Sequence, residues 1–302
     1  MPNPWHHQCK VFICGISVTQ LLQLLIYGLV LGSIYALGAI GVSLTFGILR
    51  FANFAHGDLM TLGAYFVFSF VSLGWPIGVS WIPAALATAL CAVVIDQLIY
   101  RRLRREAPVI LLISSFGTAL ILRSLVQILW GPNNQVYRSG IQLPWQFWGL
   151  RIKPDWAAIL LGAILLVVAL HFFLQRTRVG KAMRAMADNF DLAKVTGIDT
   201  ESIILWTWAI GAVLACAAGM FLGLDTRLHP TMGWRLLLPI FAAAILGGIG
   251  RPYGAIAGGL VIGVAEELST LVISPAYKTA VAFAILVVML IIRPTGLFGG
   301  RA

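Results

Sequence analysis

Gln175-Arg176-Thr177-Arg178-Val179-Gly180-Lys181 opens a polar stretch that continues through Arg184, Asp188, Asp191 and Lys194. It closes with Gly197-Ile198-Asp199-Thr200-Glu201-Ser202. On either side, at about 156–174 and 203–223, lie apolar runs long enough to cross a bilayer. The chain of 302 residues is 60% hydrophobic and only 11% charged. A soluble domain carries about 25% charged residues, so this chain has too little polar surface to remain in water. The reading is a polytopic, all-α membrane bundle. Other apolar runs lie near 21–48, 59–73, 81–100, 108–130, 235–250, 253–273 and 278–292. At about 20 residues per crossing they leave room for eight or nine spans. The strand-like alternation of an outer-membrane barrel is absent.

The net charge of +10 does not mark a nucleic-acid binder, because the basic residues sit in short clusters between apolar runs. Arg101, Arg102, Arg104 and Arg105 form one cluster, and Arg176, Arg178, Lys181, Arg184 and Lys194 form another. Two spans separate them, so both face the cytoplasm. The same threading puts Arg50, Arg251, Arg293 and Arg301 inside and Arg138, Arg151, Lys153, Arg227, Arg235 and Lys278 outside. The 131–155 loop is then periplasmic, and Trp145, Trp148 and Trp156 suit the interface belt. Residues 1–19 read as an extension without a cleavable signal, and 20–300 as one transmembrane domain. Cys9, Cys14, Cys91 and Cys216 lack metal-ligand spacing.

The first apolar run, Leu21–Ile48, would be roughly 42 Å long as a helix against a hydrocarbon core of ~30 Å. Gly38 and Gly41 mark the expected break, so the region 38–58 reads as a broken helix. Asn53-Phe54-Ala55-His56-Gly57-Asp58 follows. Non-helical backbone at membrane depth must be buried in protein or line a cavity, so this segment either gates a path or makes a plain cytoplasmic turn. A faint parallel repeat relates Gly47-Ile48-Leu49-Arg50, His56-Gly57 and Gly63 to Gly248-Ile249-Gly250-Arg251, Tyr253-Gly254 and Gly258.

Within the polar stretch, 180–196 reads as one short helix. Met183, Met186, Phe190 and Ala193 form its apolar stripe, and Lys181, Arg184, Asp188 and Asp191 another face. Gly197 suits the left-handed cap, and Asp199 the N-cap of the next span with Glu201 in its first turn. The adaptable methionine stripe fits a groove on a soluble partner or the lipid headgroups. Inside the spans lie Asp96, Arg123, Glu266 and Glu267, costly groups that face a bundle interior. Asp96 is expected to pair with the 101–105 arginines, and Arg123 could meet the two glutamates to close the outer side. The run Gly247-Gly248-Ile249-Gly250 lacks the ending of a phosphate loop. No motif supports catalysis or a metal site, so any ATP that drives this chain binds elsewhere.

Gly28-Leu29-Val30-Leu31-Gly32-Ser33-Ile34-Tyr35-Ala36-Leu37, Phe46-Gly47-Ile48-Leu49 and Asn53-Phe54-Ala55-His56-Gly57-Asp58 resemble the branched-chain amino acid ABC transporter permeases. More narrowly they resemble the leucine–isoleucine–valine subunit with an Asn-Phe-Ala-His-Gly signature. Gly197-Ile198, Ala244-Ile245-Leu246-Gly247-Gly248-Ile249-Gly250 and Arg293-Pro294-Thr295-Gly296-Leu297-Phe298-Gly299 extend the likeness over about 20–300. The resemblance implies a bacterial inner-membrane importer with a second permease, two ATPase subunits that hold ATP and Mg, and a periplasmic solute-binding protein. It makes the polar stretch the ATPase-coupling loop, with Gly180, Met183, Arg184, Met186, Asp188, Phe190, Ala193, Gly197 and Ile198 as coupling residues. Arg184-Ala185-Met186-Ala187 departs from the Glu-Ala-Ala form of many importers. Asn53, Phe54, His56, Gly57, Asp58, Arg123, Gly248, Gly250, Glu266 and Glu267 become candidates for the path or gate. Related permeases carry amides, urea or other amino acids. Two rivals are an ion-coupled secondary transporter using Asp58, Arg123, Glu266 and Glu267, and an intramembrane enzyme built on His56 and Asp58.

Overall fold

The computed structural model describes residues 18–104, 106–138, 144–147, 150–293 and 295–298. The expected extension 1–19 falls almost wholly outside the described residues, as do Arg105, Trp148 and Arg301. Eleven α-helices are found among the described residues. They are α1 (Val18–Leu49), α2 (Ala55–Ser72), α3 (Ile77–Leu103), α4 (Pro108–Trp130), α5 (Pro154–Arg176), α6 (Arg178–Asp188), α7 (Phe190–Val195), α8 (Thr200–Asp225), α9 (Met232–Gly247), α10 (Pro252–Ser269) and α11 (Lys278–Ile292). One small antiparallel hairpin pairs Trp145–Phe147 with Leu150–Ile152. Six helical segments are long and apolar enough to cross a membrane: α1, α3, α4, α5, α8 and Pro275–Ile292, which contains α11. α2, α9 and α10 fall short of that measure and lie among the longer helices through packing.

The expected break at Gly38 and Gly41 does not occur. α1 is a continuous helix of 32 residues, roughly 48 Å long, and the chain leaves helical geometry only at Arg50, whose φ is 58°. The two glycines serve close approach instead. A Cβ on Gly38 would stand 2.7 Å from Ile240 Cδ1, and one on Gly41 2.6 Å from His56 Cε1. In an apolar medium the helix keeps its internal hydrogen bonds, and small residues let neighbouring backbones meet.

α1 forms the centre of the bundle, buried almost continuously from Gly32 to Ile48. α10 packs against it through small residues. Gly28 faces Val264, Gly32 faces Leu260, and Gly259 faces Ala36. Rising numbers on one helix meet falling numbers on the other, so the pair is antiparallel. α9 folds back along α10 through Gly247 on Gly254 and Ala243 on Gly258, and along α2 through Gly57 on Gly233. α2 and α10 therefore run in the same direction.

The two ends of the bundle separate as the basic residues suggest. One end gathers Arg50, bonded to the Ala187 carbonyl, Arg104, paired with Glu201, and Arg251, bonded to the Phe298 carbonyl. The other end holds Arg151 with Gln23, Arg138 with Asp155, and Lys278 with Glu267. Trp145 is exposed there, whereas Trp156 is buried and donates to Asp225 at 2.8 Å rather than standing in an interface belt. Outward faces of α4, α5 and α11 carry exposed Leu, Ile, Val and Phe, a surface suited to acyl chains.

Candidate functional site

Two polar interruptions decide what this bundle can do. The first is the segment from Arg50 to Asp58. After the left-handed Arg50, the chain turns back into the bundle instead of leaving it. The Phe54 N–H donates to Ser115 Oγ at 3.1 Å, and the His56 ring lies against Gly41. Ser115 is seven residues inside α4 and Gly41 eight residues before the end of α1, so the break lies roughly 10 Å within the bundle. Most of its polar groups are bound within this chain. Asn53 Oδ1 accepts from the Ala55 N–H at 3.1 Å and from the Tyr100 hydroxyl at 3.4 Å. Phe54 packs on Phe241 with ring centroids 5.5 Å apart. Asn53, His56 and Asp58 are each only 1% exposed, so the segment is buried in protein.

Gly57 permits the closest contact at the break. A Cβ there would stand 2.6 Å from the Gly233 carbonyl oxygen. α9 starts at this point, inside the bundle, and its Gly233 N–H is accepted by Thr61 Oγ1 at 3.0 Å. One turn away, Arg123 grips Asp58 with both arms, Nε to Oδ1 and a terminal nitrogen to Oδ2, each at 3.1 Å. The guanidinium also lies 4.8 Å from the Trp234 ring centroid. A paired, ring-covered guanidinium is the form in which such a charge is tolerated at membrane depth. His56 Nε2 has no hydrogen-bond partner among the described residues.

The expected meeting of Arg123 with Glu266 and Glu267 does not occur. Glu266 accepts from the Tyr35 hydroxyl at 2.6 Å, and Glu267 pairs with Lys278 at 2.6 Å. Each ionisable group finds the neighbour that its own helix contact supplies, and adjacent glutamates on one helix point about 100° apart. Gly248 and Gly250 make their close approaches to Gly296 and Gly47. Both have left-handed backbones, with φ 103° and 83°. Gly250 touches Gly47 and lines a small apolar cavity with Leu44, Met183, Arg184, Ala187 and Tyr253, at the end of the bundle that holds Arg50.

The second interruption is the loop 175–202. It is not one helix over 180–196. α6 ends at Asp188, Asn189 is extended at φ −152°, and α7 starts anew with the Asn189 side chain accepting from the Leu192 N–H at 3.0 Å. The asparagine prefers to cap a new helix rather than continue the old one. The apolar stripe also faces inward. Met183, Met186 and Ala193 are buried within this chain, and Phe190 is half-buried. Gly180 lets α6 lie on α5, since a Cβ there would meet the Phe173 carbonyl at 2.4 Å and Leu174 Cα at 2.5 Å. What remains outside is Arg178, Lys181, Arg184, Ala185 and Asp188 on α6, with Asp191, Lys194, Leu192 (61% exposed) and Val195 (84% exposed) on α7. Gly197 takes the left-handed position at φ 86°, while Ile198 returns its N–H to the Ala193 carbonyl, and Asp199 caps α8 through the Ser202 N–H.

Sequence reasoning missed Tyr35, Tyr100, Ser115 and Trp234, which partner the predicted residues. A tyrosine or serine in an apolar helix carries no periodic mark of its own, and only the tertiary fold selects its neighbour. Asp96 does pair with the adjacent basic cluster, through Arg104, as expected.

Residues 24–290 match the family model described as branched-chain amino acid transport system / permease component. The chain belongs to that family. It is 34% identical to the high-affinity branched-chain amino acid transport system permease protein LivH of Salmonella typhimurium, over 92% of this chain and 95% of that protein. It is also 34% identical to the corresponding permease protein BraD of Pseudomonas aeruginosa, over 94% and 97% of the two chains. Among solved structures, a chain of PsaBC from Streptococcus pneumoniae in complex with Fab aligns with a TM-score of 0.50 and 15% identity, over 92% and 93% of the two chains. That likeness is one of fold. As a member of the branched-chain permease family, the protein is a multi-pass inner-membrane transport permease and not an enzyme. This removes the reading of His56 and Asp58 as a catalytic pair.

Proposed function

We propose that this chain is one permease half of an ATP-driven importer for leucine, isoleucine and valine. The near full-length relation to LivH and BraD carries the substrate. A second permease subunit, two ATPase subunits carrying ATP and Mg, and a periplasmic solute-binding protein complete the assembly. In this reading the Asn53–Asp58 break, locked by Arg123, lies on the translocation path and changes its packing as access alternates. Gly180 and the inward stripe Met183, Met186 and Ala193 seat the loop on the bundle. The outward residues Arg184, Ala185, Asp188, Leu192 and Val195 meet the ATPase, and Gly197-Ile198 set the exit angle into α8. Arg50 ties the two regions, because it begins the break and donates to Ala187 at the end of α6 at 3.2 Å.

Reconstitution of the complete five-subunit assembly in vesicles tests this. ATP-dependent uptake of labelled leucine that requires the binding protein is the expected result. Uptake by the isolated chain on a proton or sodium gradient would overturn it in favour of an ion-coupled carrier. ATP-dependent uptake of an amide or urea with no leucine uptake would replace the substrate.

A further inference from the structure

α3 is helical throughout, but its turn Asp96–Tyr100 is a π turn and holds one residue more than an α turn. Both termini of that turn make contacts that reach other elements. Asp96 is fully buried and bound to Arg104, which also binds Glu201 at 3.1 Å, while Arg101 approaches the same glutamate at 3.3 Å. Glu201 lies in the first turn of α8, directly beyond the Gly197 and Asp199 caps that end the coupling loop. Tyr100 stacks flat on Trp208 of α8, with centroids 5.1 Å apart and planes 5° from parallel. Its hydroxyl donates to Asn53 Oδ1, the same oxygen that receives the Ala55 N–H at the start of α2. A chain of direct contacts thus runs from the exit of the coupling loop to the residue that aims the gate helix.

We infer that the cytoplasmic end of α3, from Asp96 to Arg104, is a lever between the coupling loop and the break, and that the π turn is its hinge. The inference rests on the reading under Proposed function. Three contacts, two ionic and one stacked, bind this end of α3 to the first three turns of α8, so it moves when the loop moves. Above the hinge, α3 is packed on α2 and α8 through buried Ala84, Ala85, Thr88 and Ala92 and stays with the bundle. A single π turn inside an α-helix departs locally from the regular ladder and is frequent at functional sites. Asp96 cannot release Arg104 cheaply, because a bare carboxylate would remain in an apolar interior. Arg104 therefore follows α3, and Tyr100 carries the displacement to Asn53. Arg104 and Tyr100 are positioning residues that touch no solute.

The test counts ATP hydrolysed per labelled leucine imported by the complete complex in vesicles. Tyr100→Phe removes one hydroxyl and keeps the stack. It should raise the ATP cost of each leucine at least five-fold while basal hydrolysis stays within two-fold of wild type. Arg104→Gln should do the same, and Arg104→Lys, which keeps the charge, should restore part of the coupling. Tyr65→Phe is the control, since that buried hydroxyl has no partner among the described residues and lies off the lever; its ratio should not change. A wild-type ratio in Tyr100→Phe overturns the lever. So does a parallel loss of transport and hydrolysis in both Tyr100→Phe and Arg104→Lys, which marks a structural role. Failure of the wild-type complex to import leucine with ATP would instead sink the proposed function, so the two failures are distinguishable.

Discussion

The break at 50–58 and the loop at 175–202 look alike as polar interruptions of an apolar chain, yet they solve opposite problems. At the break, most polar groups find a partner within this chain: Asn53 with Ala55 and Tyr100, Phe54 N–H with Ser115, Asp58 with Arg123. The loop uses its apolar side chains to seat itself and leaves its polar face and two aliphatic residues outside. The medium sets the difference. Inside the bundle an unpaired polar group is expensive, so the break is sealed. In water a charged face costs little, so the loop presents one. Substitutions in the two regions should therefore fail in different ways.

The largest effect is expected at the break. Arg123→Ala strands the fully buried Asp58 carboxylate, and breaking a buried pair from one side costs about 3–5 kcal/mol. Thermal unfolding in detergent should show a much less stable protein. Removing both charges, with Arg123→Met and Asp58→Leu together, should recover most of that stability, because an apolar pair of similar volume replaces the bridge. Leucine uptake should remain lost in the double variant if the pair belongs to the gate. Recovery of uptake would reduce Asp58–Arg123 to a packing element.

Second in size is the seat of the loop. Gly180→Val drives a branched side chain into the backbone of Phe173 and Leu174, and overpacking of this kind costs about 1–3 kcal/mol or more. The main span packing should persist, since α6 touches it only at one end. The ATPase subunits should no longer co-purify in detergent. Normal co-purification would show that the loop docks without its seat.

The outward residues should show almost no stability effect and a large binding effect. Leu192→Asp and Val195→Asp alter exposed positions, where substitutions usually fall within about 0.5 kcal/mol. They should nevertheless release the ATPase. Met186→Leu, a volume-conserving change in the seat, should cost less than about 1.5 kcal/mol and leave the complex intact. If Met186→Leu released the ATPase and Leu192→Asp did not, the assignment of inner and outer faces would be inverted.

How much of this was legible in the chain follows from the same contrast. Hydrophobic runs and the caps at Gly197 and Asp199 are local signals: the runs become helices, though among the described residues only six segments, not eight or nine, are long and apolar enough to cross a membrane, and the two caps stand where the sequence puts them. Facing direction is not local. The stripe Met183, Met186 and Ala193 has the period of a buried face whether the partner is another protein or this bundle, and only α5 and the end of α1 decide between them. Gly38 and Gly41 misled because glycine both breaks helices and lets them touch, and in an apolar medium the second use prevails. The pairing of Asp58 with Arg123, 65 residues away in sequence, and the π turn at Asp96 depend on tertiary packing that no window of sequence contains.

The smallest expected effect separates backbone strain from contact at the junction of the loop with α8. Gly197 has φ 86°, and a Cβ there would meet nothing within 4 Å. Any cost of substitution is therefore conformational. A non-glycine residue pays about 1–2 kcal/mol in this region, and asparagine less because its short amide is tolerated there. Gly197→Asn should leave leucine uptake near wild type. Gly197→Val, β-branched and poorly suited to positive φ, should shift the junction out of the left-handed form, change the angle at which α7 meets α8, and reduce coupled uptake while the membrane helices insert normally. Equal loss in both variants would mean that the partner reads the bare backbone at Gly197 directly. Equal retention would mean that the exit angle is set by the Asp199 cap and the Glu201 ion pairs alone.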